Sequence, residues 1–446
     1  MNALDVLRAA AEPKPVVAII GGAVAGSEAA AACAARGAIP VVFEQGRRPY
    51  GKIEDGLPRW HVKLRDKEYK KIDQNLGAEG VVFVPKTEVG TDLARDDLYG
   101  QLGFSAVVLA NGAWRDRGLP IEGADAYHGR GLVYQNEFVY WFNHYDDEGY
   151  DGQVFDVQDG TIVVGGGLAS IDVVKVINLE LYAKALQARN IEVDIVEMEV
   201  KGIPRTLEAH GLSAEDLGVK GCTLYYRRSK EDMPLASADN PTPEQLQKLQ
   251  VARVKIMDRV IRKYFVKFEP LSRPIGCLVE QDRLVGLHFQ RTEVVEGRVK
   301  GIEGSEFEVR APMIISSIGS IPRPIEGIPT RGELYHYDDW DTGEVHDLPG
   351  VFGLGNVLTG KGNIKDSRKN AIEIIERVVA AYLGVGDRDD LEVTSPSSDA
   401  TEVATRAVGG TPMTVDAMHA LATLIEARHQ ETGYHDYASW MQDDGV

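Results

Sequence analysis

The sequence predicts an α/β protein with two Rossmann-like dinucleotide-binding domains, and three observations carry that prediction. An apolar run at 16–20 leads into the turn Gly21-Gly22-Ala23-Val24-Ala25-Gly26. A second apolar run from Thr161 leads into Gly165-Gly166-Gly167-Leu168-Ala169-Ser170. A helix-prone stretch follows each turn, which is the strand–turn–helix order of a dinucleotide fingerprint. One such turn is a weak signal, because strand-to-helix glycine turns recur in many α/β folds. Two in one chain point to two dinucleotides, usually a flavin and a nicotinamide, and so to hydride or electron traffic.

Taken in order, 16–20 reads as a buried parallel strand, Ser27 to Arg36 as a helix and Pro40 to Glu44 as the second strand. Glu44 stands where a carboxylate accepts hydrogen bonds from a ribose hydroxyl while the pyrophosphate rests on the helix N-terminus. Ala23 replaces the expected central glycine and adds one methyl where the backbone approaches a pyrophosphate, so a plain strand–helix turn is the alternative. Ala106 to Ala110 reads as a later strand ending in Asn111-Gly112-Ala113-Trp114. In the second βαβ unit, Gly165 and Gly167 are the first two fingerprint glycines, and Ser170 stands where Gly or Ala is commoner. Asp172 and a long amphipathic stretch to Leu186 follow. Cys222 to Tyr226 then reads as a strand running into Arg227-Arg228-Ser229-Lys230. Two arginines at the position of an NAD-specific carboxylate suit a 2′-phosphate, which favours NADP(H); a solvated basic strand end is the bland alternative. Residues 277–310 alternate as antiparallel strands, and Met313 to Ile318 and Val351 to Gly355 read as buried strands. Residues 393–412 read as a linker and Met413 to His429 as a helix. The tail beyond, with Trp440, reads as a packing arm or oligomer contact.

At 446 residues the chain has room for two or more domains, and 43% hydrophobic with 26% charged residues is ordinary for a globular enzyme. Its apolar runs are of strand length, and Met1 to Pro15 lacks a signal-peptide core, so a cytoplasmic protein without a membrane partner is expected. Cys33, Cys222 and Cys277 are too dispersed for a redox disulfide, an iron–sulfur cluster or a zinc site. Any electrons therefore travel on an organic cofactor, and the thiols read as small buried hydrophobes. The net charge of −19 is uneven: residues 385–446 hold 12 Asp/Glu against three Arg. That balance disfavours nucleic acid and lends no support to a large basic docking face, though a local basic patch is compatible with it.

Further motifs, in the right order over roughly residues 15–385, are similar to the adrenodoxin reductase family of flavoproteins, which includes bacterial NADPH–ferredoxin reductases. Pro49 to His61, with Gly51 and Gly56, resembles the family's flavin-contacting loop, and the turn at Gly112 resembles the exit from its flavin domain. Phe138-Val139-Tyr140-Trp141-Phe142-Asn143 resembles the segment before its NADP domain, and Ile315 to Gly319 the strand returning from it. Val351 to Ala371, with Gly355-Asn356 and Gly360-Lys361-Gly362-Asn363-Ile364, resembles the final flavin-binding strand, loop and helix. Tyr226 to Pro234 is similar to the glutamate synthase small subunit, a relative in the same superfamily. The resemblance implies an FAD domain from 1–112 and 321–385, an NADP domain from 113–320, and a linker with helical tail at 386–446. It implies noncovalent FAD, NADPH as donor, and a ferredoxin-like iron–sulfur protein or flavodoxin as acceptor. His61 takes the position of a family histidine near flavin and nicotinamide, and Glu244 that of a family glutamate; His61 alone also reads as a structural residue. Departures are Ala23, Asn356 where the reductases usually carry Trp, and the stretch after Arg228. A flavoenzyme acting on a small organic substrate and an electron-transfer subunit of a larger complex are the competing readings.

Overall fold

The computed structural model describes residues 2–94, 96–98, 102–238, 240–360, 363–385 and 410–443. The chain divides into two compact units. The first comprises Met1–Glu54, Val62–Arg115 and Ser320–Val446; the second comprises Asp55–His61 and Asp116–Gly319.

The first unit is built on a five-stranded parallel sheet in the order Val351–Gly353, Ala106–Leu109, Val16–Ile20, Ile39–Phe43, Val82–Val84. Every residue of Val16–Ile20 and Ile39–Phe43 is buried, as expected of parallel strands covered on both faces. The helix after the first turn spans Val24–Ala35, starting three residues earlier than the composition suggests. Ala23 is its extended N-cap, so Ala25 and Gly26 belong to the first helical turn. Helix Val62–Leu76 and helix Ile364–Ile374 both pack against Val24–Ala35. A buried charge triad joins the three: Arg368 reaches Glu28 at 2.6 Å and Glu68 at 2.5 Å, and both carboxylates are almost wholly removed from solvent.

The tail belongs to this unit. Helix Val415–Thr432 buries Met418, Leu421, Ala422 and Ile425 in its core and packs beside helix Ala3–Arg8 and strand Val82–Val84. Most of the expected linker lies outside the described residues.

The second unit repeats the plan. Its parallel sheet runs Leu132–Tyr134, Ile314–Ser317, Ile162–Gly165, Thr223–Tyr225, Lys267–Glu269. The expected antiparallel region is a three-stranded meander, Ser272–Glu280, Arg283–Val295 and Arg298–Arg310, inserted before the strand Ile314–Ser317. Helix Leu168–Gln187 differs from the amphipathic element expected. It is buried around most of its circumference, because it packs on the sheet and also on helices Ile195–Lys201 and Pro243–Tyr264.

Replacing Arg368 by Met leaves Glu28 and Glu68 buried without their cation. Removing one partner of such a group costs about 3–5 kcal/mol, so a large drop in melting temperature is expected in calorimetry.

Candidate dinucleotide sites

In the first unit the glycine turn is fixed by backbone proximity. Gly21 has φ +99°, and a Cβ on Gly26 would sit 1.8 Å from the Gly21 carbonyl oxygen. Only glycine lets the helix start this close to the strand end. The Glu44 carboxylate accepts hydrogen bonds from Gly22 N–H at 2.8 Å and Gly46 N–H at 2.9 Å, which ties the second strand's end to the turn. The Ala23 methyl is accommodated because it faces Gly51, where a Cβ would lie 3.1 Å from it. Gly355 (φ +65°) is likewise opposed by Ala25, whose methyl would be 2.5 Å from an added Cβ. The turn, the Gly51 loop and the Gly355 loop therefore converge within one unit. Gly112 lies beside the Trp114 ring. Asn363 caps helix Ile364–Ile374 through the Asp366 N–H. Gly56 falls in the 55–61 segment of the other unit, and Gly362 lies outside the described residues.

Two buried acceptors in this region, Asn111 Oδ1 and Asn356 Oδ1, have no hydrogen-bond partner. A buried unsatisfied acceptor is costly, and ligand N–H or O–H groups are its natural complement. The polar groups present suit a polar, phosphorylated ligand: backbone N–H donors at a helix start, and as acceptors a carboxylate at the second strand's end and open amide oxygens.

In the second unit, a Cβ on Gly165 would lie 2.2 Å from Ser170 Oγ and 2.3 Å from the Ser317 carbonyl. Ser170 Oγ itself donates to that carbonyl at 2.8 Å, so the serine at the third fingerprint position locks turn, helix and neighbouring strand together. Gly167 caps helix Leu168–Gln187 with open space above it, and Leu168 is exposed on the first turn beside Ala169. The two arginines have different settings. Arg228 Nη2 donates to the Gly297 carbonyl at 2.7 Å, whereas Arg227 is exposed and its guanidinium is free to meet an anion.

His61 lies in the second unit, held by a network that its isolated position in the sequence did not reveal. Asn143, on helix Gln135–His144, accepts from Arg59 N–H at 2.9 Å and donates to the Leu57 carbonyl at 3.1 Å. Arg59 stacks on Phe142 and Tyr145, and Trp60 packs on Phe142. His61 Nε2 is buried without a hydrogen-bond partner, 3.5 Å from Asp172 Oδ1. Asp172 lies 3.7 Å from Lys175 Nζ, and Lys175 bonds Glu199 at 2.7 Å over the Trp60 ring. Burial pushes the Glu199 carboxyl up, but the Lys175 ammonium and the bonds from Lys175 and Tyr264 outweigh it and hold the carboxyl below its ordinary value. Glu244 is elsewhere: exposed on the first turn of helix Pro243–Tyr264, it accepts from Thr242 Oγ1 at 3.0 Å. Its own backbone N–H, then the Thr242 hydroxyl, hold its carboxyl below the usual range.

Burial pushes the Cys33 thiol up to about 12 and the Cys222 thiol well above its ordinary value, so both are protonated core groups. Among the described residues no His/Cys/Asp/Glu cluster is arranged to hold a metal, and no helix is long and apolar enough to cross a membrane.

No family model matches the chain. The chain is 26% identical over 364 residues to the glutamate synthase [NADPH] small chain of Mycobacterium tuberculosis, covering 78% of this chain and 63% of that one. It thus spans less than two thirds of the length of that relative. It is 31% identical over 168 residues to the cindoxin reductase of Citrobacter braakii, covering 37% of this chain and 35% of that one. Its fold superposes on Mycobacterium tuberculosis FprA in complex with NADPH with a TM-score of 0.63, at 18% identity, over 94% of this chain and 91% of that one. These matches agree with the resemblance read from the sequence, and the last shows a common two-unit dinucleotide-binding fold.

Replacing Asn143 by Leu strips both Arg59 N–H and the Leu57 carbonyl of their partners. A loss of about 1–3 kcal/mol is expected, with faster amide exchange confined to 57–61. The same segment carries a pH dependence. His144 bonds Asp55 at 3.1 Å and Asp147 at 2.7 Å; the Asp55 bond raises its pKa most, burial opposes, and Asp147 adds. A raised histidine contributes fully below its ordinary value of 6.5 and loses that contribution as pH rises through the folded-state value. Melting temperature is therefore expected to fall over that window in the wild type, and to fall less in H144Q.

Proposed function

We propose that this chain, a relative of glutamate synthase small chains with the fold of FprA, is an FAD-dependent oxidoreductase that takes electrons from NADPH and passes them to a ferredoxin-type iron–sulfur protein or a flavodoxin. The observation that carries the reading is the duplication within one chain. Two five-stranded parallel sheets, in which Ala106–Leu109, Val16–Ile20, Ile39–Phe43, Val82–Val84 correspond in order to Ile314–Ser317, Ile162–Gly165, Thr223–Tyr225, Lys267–Glu269, each present a glycine turn at a helix start, one backed by a carboxylate and the other by arginines.

FAD is assigned to the first unit. Gly21, Gly22 and Gly26 let the helix start approach a pyrophosphate, and Glu44 receives ribose hydroxyls. Gly51, Gly112, Gly355 and Asn363-Ile364 leave backbone close to the cofactor, and Asn356 offers its open amide oxygen. NADPH is assigned to the second unit. Gly165, Gly167, Leu168 and Ala169 form the phosphate turn, with Arg227 on the 2′-phosphate and Arg228 beside it, anchored to the meander through the Gly297 carbonyl. A bound flavin supplies the ability to accept two electrons together and release them singly. His61, next to Asp172, is suited to hold or move a proton at Nε2. Glu244, at the start of helix Pro243–Tyr264, accepts from the Thr242 hydroxyl beside the capping box that Thr242 and Gln245 form.

The glutamate synthase relatives favour a second reading, in which the chain is the electron-transfer subunit of a larger assembly whose other members hold the iron–sulfur groups. The two readings share both cofactors and differ in the acceptor.

Purified protein is expected to be yellow, or to become so with FAD, and to be bleached anaerobically by NADPH in preference to NADH. A protein that stays colourless with added FAD contradicts the proposal. Arg227→Ala removes a charge-assisted contact worth about 1.5–3 kcal/mol, so KM for NADPH should rise ten- to hundredfold while NADH is little affected. Equal losses for both nucleotides remove the arginine from this role. Rapid reoxidation of the reduced protein by an added ferredoxin distinguishes the first reading from action on a small organic substrate.

A further inference from the structure

The C-terminal segment from Gly410 follows the residues, roughly 15–385, whose motifs resemble the reductases, and besides packing on the core of the first unit it meets two particular loops. In an open parallel sheet, ligands bind outside the carboxyl ends of the strands. The loops leaving two of those ends, 44–50 after Ile39–Phe43 and 85–87 after Val82–Val84, border the side on which Glu44 would take the adenosine ribose. They are linked to each other: Thr87 N–H donates to the Glu44 carbonyl at 2.8 Å and Lys86 N–H to the Gly46 carbonyl at 3.1 Å.

The tail grips both loops. Trp440 Nε1 donates to the Arg47 carbonyl at 2.9 Å, and the Arg47 guanidinium lies 4.6 Å from the Trp440 ring centre, donates to the Trp440 carbonyl at 3.3 Å and pairs with Asp443 at 3.2 Å. Lys86 Nζ lies 5.9 Å from the same ring. Arg428 donates to Thr87 Oγ1 at 3.3 Å and to the Lys86 carbonyl. Tyr437 OH donates to Asp73 at 2.8 Å, the carboxylate that Tyr50 OH also reaches at 3.1 Å, and Tyr434 and Tyr437 pack on Phe83. Loop 44–50 forms no helix or strand of its own. Within it the tail fixes Arg47 directly and Tyr50 through Asp73, and Trp440 is buried where it meets Arg47.

We propose that residues 410–443 brace the adenosine half of the FAD site, with Trp440 as the positioning residue that holds loop 44–50 in its binding shape before the cofactor arrives. This rests on the assignment of FAD to the first glycine turn. A loop ordered in advance is not ordered at the expense of binding.

The test uses the full chain stripped of cofactor, with Trp440→Ala and the milder Trp440→Phe, which keeps a ring but loses the Nε1 bond. FAD affinity is read by flavin fluorescence, NADPH affinity by calorimetry, and folding by melting of the cofactor-free protein. The expected result is FAD affinity about tenfold weaker in W440A and intermediate in W440F, with NADPH affinity unchanged and a smaller rise of melting temperature on adding FAD. Folded variants that bind FAD as tightly as the wild type overturn the proposal, as does an equal loss of NADPH affinity. If W440A does not fold, W440F decides alone. Wild-type protein that fails to take up FAD overturns the cofactor assignment itself, a result distinct from unchanged variants.

Discussion

The structure depends on one steric constraint, applied twice. A helix must begin so close to the end of a parallel strand that the backbone has no space for a Cβ. At Gly26 the obstacle is the Gly21 carbonyl, and at Gly165 it is Ser170 with the Ser317 carbonyl. Meeting this constraint brings helix-start N–H groups to the carboxyl edge of each sheet, where a phosphate can be received without an approaching cation. The different chemistry of the two turns then comes from the end of the next strand. Glu44 closes one turn by accepting from Gly22 N–H, while Arg227 leaves the other with a free positive charge.

Much of this was legible because it is local. Apolar strands followed by glycine turns located both sheets, and alternation located the meander. Helix Val24–Ala35 began earlier than its alanine-rich core suggested, because an alanine N-cap carries no side-chain signal. Helix Leu168–Gln187 reads as amphipathic because polar residues recur among its apolar ones, but Lys175 and Asn178 are buried and bonded inside. The accommodation of Ala23 was not legible, since it depends on Gly51, a residue near it only in the fold. The same holds for His61, whose neighbours Asp172, Lys175 and Glu199 come from two separate helices. The segment 138–143 was recognisable by resemblance, but its work, holding loop 57–60 through Asn143 and Phe142, depends on contacts between residues far apart in sequence.

Charge is distributed with a purpose that the total of −19 conceals. Buried groups are compensated: Arg368 by Glu28 and Glu68, and Lys175 by Glu199 and Asp172. The acidic tail uses its aromatic residues and Arg428 on loops of the first unit, so its described part is an integral piece of that unit.

The central claim is that one chain holds two different dinucleotides, each on its own glycine turn. Hydrogen–deuterium exchange with each nucleotide added separately to cofactor-free protein tests it most directly. FAD should protect amides at 21–26 and 44–50 and leave 165–170 unchanged, and NADPH should protect 165–170 and 226–229 and leave 21–26 unchanged. Protection of the same turn by both nucleotides, or of neither turn by either, would contradict the account.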